Sequence, residues 1–172
     1  MAPRIDYGKA APGVYDAMDP LDQYLASCSL EAELLHLVRL RASQVNGCAY
    51  CIDMHWKDLR ALGATEQRLY GLDAWRESPY YSMRERAALG WTEAVTRITE
   101  GHASDAEFEA ARGQFSAREL ADLTLAITTI NAWNRLSIAA RLVPGRYQPA
   151  VVAAREGGRR AVVNRAGTEG TG

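Results

Sequence analysis

The chain has 172 residues, with 20 Lys plus Arg against 21 Asp plus Glu and a formal charge of −1. That length fits one domain with a sizeable core, and the balanced charge excludes the basic footprint of a nucleic-acid binder. Residues 1–19 show no signal-peptide core and no stretch approaches the roughly 18 apolar residues of a membrane span, so the expectation is a cytoplasmic protein with no membrane partner.

In chain order, residues 1–19 carry Pro3, Gly8, Pro12 and Gly13 without a period and read as an arm over the domain or over a neighbour. Asp19-Pro20 predicts a helix start, Asp as N-cap and Pro in the first turn, with the helix running to about Ser27. Ser29 is the expected cap of the next helix. Leu30, Leu34, Val38 and Val45 recur there at helical spacing, Glu31 and Glu33 suit its positive end, and Asn46-Gly47 breaks it. A second helix should begin at Cys48 and stop at Gly63, and Thr65 opens a short one to about Leu72.

Three capping boxes follow, Ser82 with Glu85, Ser104 with Glu107 and Ser116 with Glu119. Ala88, Trp91, Val95 and Ile98 predict a helix from Met83 to the Gly101 stop. Leu120, Leu123, Ile127, Ile130, Asn134 and Ile138 predict the longest, from Ala117 to near Val143 before Pro144-Gly145. No convincing alternating strand is present, so the fold class is all-α. The organisation expected is an arm over 1–19, a helical domain over 20–145 and an extension over 146–172, with Val151, Val152, Val162 and Val163 as possible docking contacts.

The chemistry concentrates in Ser43 to His55, SQVNGCAYCIDMH. Cys48, Cys51 and His55 fall one turn apart on one helical face. Thiols at this spacing have Cβ atoms about 5–6 Å apart, more than the roughly 3.5–4.5 Å of an unstrained disulfide, so the spacing predicts a strained, accessible, easily reduced bridge. Free amides at the helix start favour Cys48 as the thiolate, whereas the histidine favours Cys51.

Three cysteines, two of them in a close pair, argue against a secreted disulfide framework and for redox or metal chemistry. Cys28 reads as a small buried hydrophobe. A zinc site lacks a second Cys-x-x-Cys or a His pair to close a tetrahedron, His36 and His102 having no spacing partner, and the c-type haem motif fails at Ile52; no metal and no cofactor is expected. Asn131, Asn134 and Arg135 interrupt an apolar helix face and are expected to satisfy buried backbone and to pin the Asn46-Gly47 turn. Trp56, Trp75, Trp91 and Trp133 read as core or subunit contacts.

LVRLRASQVNGCAYCIDMH from Leu37, ERAALGWTEAVT from Glu85 and INAWNRL from Ile130 closely resemble the AhpD-like alkylhydroperoxidases of the carboxymuconolactone decarboxylase superfamily, over roughly Leu21 to Tyr147. The resemblance implies an AhpD-like helical bundle that forms homo-oligomers and a thiol peroxidase acting on alkyl hydroperoxides or hydrogen peroxide. It also implies Cys51 as the attacking thiol, Cys48 as the resolving one, His55 in a proton relay, and a lipoyl or thioredoxin-like dithiol as electron donor. Lactone decarboxylases of the same superfamily characteristically lack the cysteine pair; a zinc-stabilised or redox-sensing module is the non-enzymatic alternative. The glutamate that begins the relay in well-described members, twelve residues before the first cysteine, is replaced here by His36. Glu93 is the expected substitute, a carboxylate near thiols whose pKa burial would raise, with His36 as a packing group or a support behind the relay.

Overall fold

The structure, a computed structural model, describes residues 2–149. Its elements are α1 (Tyr7–Ala10), α2 (Gly13–Ser27), α3 (Ala32–Asn46), α4 (Ala49–Ala61), α5 (Glu66–Tyr70) followed by a 3-10 turn (Gly71–Ala74), α6 (Met83–Thr96), α7 (Ile98–Gly101), α8 (Asp105–Arg112) and α9 (Ala117–Ala140). No strand occurs among the described residues, as the sequence patterning predicts.

Helix α3 is the central element. It packs on α4, α6 and α9, and buries Leu34, Leu35, Leu37, Val38 and Leu40 on several sides at once. One apolar cluster joins Leu25, Leu34 and Val38 to Ala88, Trp91, Leu123 and Ile127. A second joins Leu37 and Leu40 to Leu59, Leu72, Trp75 and Leu89. Between α3, α4 and α9 a third, small cluster contains Ala42, Ile130 and both cysteines of the motif, with Tyr50 and Trp133 packed against it.

The capping signals place most helix starts. Ser82 with Glu85 and Ser116 with Glu119 form complete reciprocal boxes. At Ser104 the hydroxyl accepts from the Glu107 amide, but the Glu107 carboxylate lies instead over Gly90, where a Cβ would come within 2.7 Å of Oε2. Thr65 caps α5 by accepting from the Arg68 amide.

Four boundaries differ from expectation. Helix α2 begins at Gly13, not after Asp19, and carries Pro20 in its interior. The lost backbone bond is outweighed by tertiary packing, since α2 lies along α9 and Tyr15 stacks on Trp133 with ring centroids 5.9 Å apart. Residues 7–10 are also helical, and the arm folds back at Arg4, whose amide donates to the Ala140 carbonyl at the end of α9. Glu31, not Ser29, occupies the N-cap of α3. The helix expected from Met83 to Gly101 breaks at Arg97, which leaves Ile98 46% exposed, and α9 ends at Ala140 with Arg141 left-handed. The Val151, Val152, Val162 and Val163 contacts lie outside the described residues.

Residues 145–147 dock across α4. Asp53 accepts from the Gly145 amide at 3.0 Å, and the Lys57 ammonium donates to the carbonyls of Gly145 and Tyr147 at 3.2 and 3.1 Å. The segment brings Tyr147 onto the face of α4 that carries the histidine.

Candidate active site

The α3–α4 junction is built from polar groups that face inward. Gly47 takes φ 69°, a left-handed conformation disfavoured for residues with a Cβ, and the Cys48 amide reaches back to the Ser43 carbonyl at 2.9 Å. Asn46 donates to the side-chain carbonyls of Asn131 and Asn134 at 2.9 and 2.8 Å, and Asn134 donates to the Ser43 hydroxyl at 3.0 Å. The two asparagines of α9 thus pin the turn, as expected. Asn131 is held in turn by Thr96 and Arg135.

Cys48 is the N-cap of α4, with its thiol beside the free amides of the first turn, and Cys51 follows one turn later. The sulfurs are 2.7 Å apart, Cys51 lies 3.6 Å from the Ser137 hydroxyl, and both cysteines are free. Each residue is only 1% exposed, so the accessible pair expected from the spacing is buried within the chain. The two thiols share one proton most easily. A hydrogen bond from Cys51 pulls the Cys48 thiol down to about 7, while that bond and burial push Cys51 up. The resting charge belongs on Cys48. Cys28 is half-buried against the first apolar cluster, apart from the pair, which fits its reading as a small hydrophobe.

His55 is buried, and its Nδ1 faces two groups. Nδ1 of His36 is 3.3 Å away and Oδ2 of Asp58 is 3.5 Å away. The same Asp58 oxygen lies 3.4 Å from His36 Nδ1, and the other oxygen accepts a 2.6 Å hydrogen bond from Tyr147. Burial lowers both histidines, His36 to about 3, so both rings are neutral; burial would raise the Asp58 carboxyl, but the hydrogen bonds from His55 and Tyr147, with His36 close by, hold it below its usual range. Nε2 of His55 is buried without a hydrogen-bond partner among the described residues.

Glu93 belongs to a different constellation. It is buried and accepts from Arg41 and Trp75 at 2.8 Å each, and also from Arg76. Burial alone would raise its pKa; the hydrogen bonds from Trp75, Arg76 and Arg41, with the positive charge of Arg41, hold it below the usual carboxylate range. The expected raised pKa is therefore corrected. Helix α6 packs on α3, α8 and α9, and the carboxylate meets the guanidinium of α3. His36, expected as a packing group or a support behind the relay, lies in contact with His55. The cysteine motif does not single out Asp58 or Tyr147. Asp58 carries a local signal, three residues after His55 on the same helical face, whereas Tyr147 arrives through the fold of the chain after α9.

Fold and site together define an all-α protein with a buried Cys-x-x-Cys pair at a helix start and a histidine cluster one turn further on. The profile of the carboxymuconolactone decarboxylase family matches residues 12–94. The Bacillus subtilis protein YdfG is 40% identical over 139 residues, 81% of this chain and 95% of its own. ATU0492 of Agrobacterium tumefaciens, described as a protein of unknown function and a candidate AhpD antioxidant defence protein, superposes with TM-score 0.82 at 44% identity, covering 85% of this chain and all of its own. The alkylhydroperoxidase AhpD core of a peroxidase-related protein from Ralstonia eutropha shares the fold at TM-score 0.70 and 19% identity, over 79% of this chain and 73% of its own. This chain belongs to the AhpD-like carboxymuconolactone decarboxylase superfamily.

Proposed function

We propose that the protein is a thiol peroxidase that reduces alkyl hydroperoxides or hydrogen peroxide. The observation that carries this reading is the free Cys48/Cys51 pair, 2.7 Å apart at the start of α4, with one thiol already poised near neutrality. Loss of a proton from the pair gives a monoanion. Its charge rests on Cys48, and attack from Cys51 follows when the Cys51 proton passes to Cys48 across the short S···S contact. The Cys51 thiolate then takes the distal peroxide oxygen and becomes sulfenic acid, while a proton relayed through His55 turns the leaving alkoxide into alcohol. Condensation of the Cys48 thiol with the sulfenic acid forms the disulfide and releases water. A dithiol donor of the lipoyl or thioredoxin-like kind reduces the bridge and is itself oxidised to a disulfide.

Asp58 and His36 complete the relay in this proposal, in the place assigned from sequence to Glu93. A carboxylate at His55 Nδ1 fixes the ring proton there and leaves Nε2 as the acceptor. The protein acts in the cytoplasm and as a homo-oligomer. Exposed apolar side chains such as Met83, Tyr70 and Ile138, 71, 69 and 45% exposed, support burial of further surface between copies. Among the described residues no helix is long and apolar enough to cross a membrane.

Peroxide consumption with a dihydrolipoyl donor tests the proposal, with Asp58→Asn as the informative variant. The expected result is turnover by the parent protein and a rate of first thiol oxidation lowered by up to about 10²-fold in Asp58→Asn, the thiol count being preserved. Unchanged kinetics in that variant would remove Asp58 from the relay.

A further inference from the structure

The His36–His55–Asp58 cluster has a geometry that protons alone do not satisfy. Nδ1 of His36, Nδ1 of His55 and Oδ2 of Asp58 form a nearly equilateral triangle with sides of 3.3, 3.4 and 3.5 Å. A neutral imidazole has one N–H. If both rings donate to Asp58 through Nδ1, two N–H groups face each other across the His–His side. If only one Nδ1 is protonated, one of the three close approaches lacks a donor.

We propose that this triangle is a binding site for a single late transition-metal dication of the zinc class, with His36, His55 and Asp58 as its protein ligands. Zinc bound to imidazole nitrogen and carboxylate oxygen at about 2.0–2.2 Å in a tetrahedron places its ligand atoms about 3.3–3.6 Å apart, which is the span of this triangle. One ion just off the plane of the three atoms reaches all of them and keeps a fourth position for water. Magnesium prefers an octahedron with bonds of about 2.0–2.1 Å, which brings neighbouring ligands to about 3 Å, closer than the triangle. Calcium bonds are long enough, but calcium seeks six or more oxygen ligands, and two of these three atoms are nitrogens.

Arg39 places positive charge near both rings but is ion-paired with Asp22 at 3.2 Å, and the remaining surroundings suit a cation. The three ligating groups are grouped with burial around them, Asp58 and His55 buried and His36 half-buried with its side chain 21% exposed, which gives an ion a way in. Tyr147 donates to the Asp58 oxygen that the ion does not use and fixes the carboxylate's orientation, the kind of outer contact that supports metal ligands. Burial keeps both rings in the uncharged form that ligation requires. The site differs from the sulfur-based zinc site considered from sequence, because neither Cys48 nor Cys51 belongs to it. Ligation through Nδ1 would put the His55 proton on Nε2, so a loaded site and a proton-accepting His55 exclude each other. This last consequence rests on the peroxidase reading; the binding itself does not.

Equilibrium dialysis of the reduced full chain against zinc chloride, with cobalt chloride as a spectroscopic probe, tests the site. It is done on the parent protein and on the Cys48→Ser/Cys51→Ser protein. The expected result is one zinc retained per chain in both, a cobalt spectrum of nitrogen and oxygen ligation in the double variant, and affinity lowered by more than about 100-fold when His36→Gln or Asp58→Asn is added. Circular dichroism of each variant checks that the helices persist. Loss of binding with the two serines, accompanied by a thiolate-to-cobalt charge-transfer band in the parent protein, would assign the metal to the cysteines and overturn the proposal. Binding in the double variant that is indifferent to both His36→Gln and Asp58→Asn would overturn it equally.

Discussion

Cys51→Ser is expected to abolish peroxide consumption, whereas Cys48→Ser should complete one attack and accumulate a trappable sulfenic acid at Cys51. The parent geometry explains why the second variant should be competent. Cys51 is pushed up by its hydrogen bond to Cys48, by burial and by the neighbouring negative charge. Serine at position 48 removes that charge and leaves a hydroxyl that can donate to a Cys51 thiolate, while the Ser137 hydroxyl stays 3.6 Å from the sulfur. The Cys51 thiol should therefore titrate lower in Cys48→Ser than in the parent. Mass spectrometry after a sulfenic-acid trap reads the outcome. A sulfenic acid at Cys48 in Cys51→Ser, with none at Cys51 in Cys48→Ser, would exchange the two roles and make the resting thiolate the attacking group.

Glu93→Ala should destabilise the fold by about 3 kcal/mol, as expected when one partner of a buried ion pair is removed and its counter-charge stays behind. Arg41 keeps Asp73 as a partner, but that carboxylate is largely exposed and replaces little of the buried contact. For a chain of this size the melting temperature should fall by roughly 6–12 °C. The pH dependence follows from the sign of the shift. The folded pKa of Glu93 lies below its ordinary 4.5, so its contribution is complete above that value and is lost as pH falls through the folded pKa. Parent and variant should thus differ most in stability near neutrality and converge in acid. Thermal melts between neutral and strongly acidic pH check this; an equal difference at every pH would show that packing, not the charge of Glu93, is what the substitution removes.

The contrast between Glu93 and Asp58 shows where sequence reasoning succeeds and where it stops. Helix starts at Ser82 and Ser116, the left-handed stop at Gly47 and the cysteine helix are all legible, because each depends on residues within about four positions of one another. The Asn131 and Asn134 contacts with the turn were also legible, since buried amides in an apolar stripe need partners. Pro20 misled because local propensity favours a start there, while contacts of α2 with α9 carry the helix through it. A polar residue on a helix announces that it has a partner without saying which. Glu93 is legible as a polar residue on a helix with an apolar face, but its ion pair with Arg41 arises only because α6 packs on α3. Asp58 carried a local signal in its spacing from His55, but the significance of His36 depended on α3 and α4 lying side by side.

Counting thiols decides whether Cys48 and Cys51 form a redox pair. The reduced, metal-free protein is treated with one equivalent of an organic hydroperoxide, its free thiols are titrated before and after, and the product is mapped by peptide analysis. The expected result is a loss of two thiols per chain, a single Cys48–Cys51 bridge, one equivalent of alcohol, and Cys28 still free. Retention of all three thiols, or a major disulfide that includes Cys28, would contradict it.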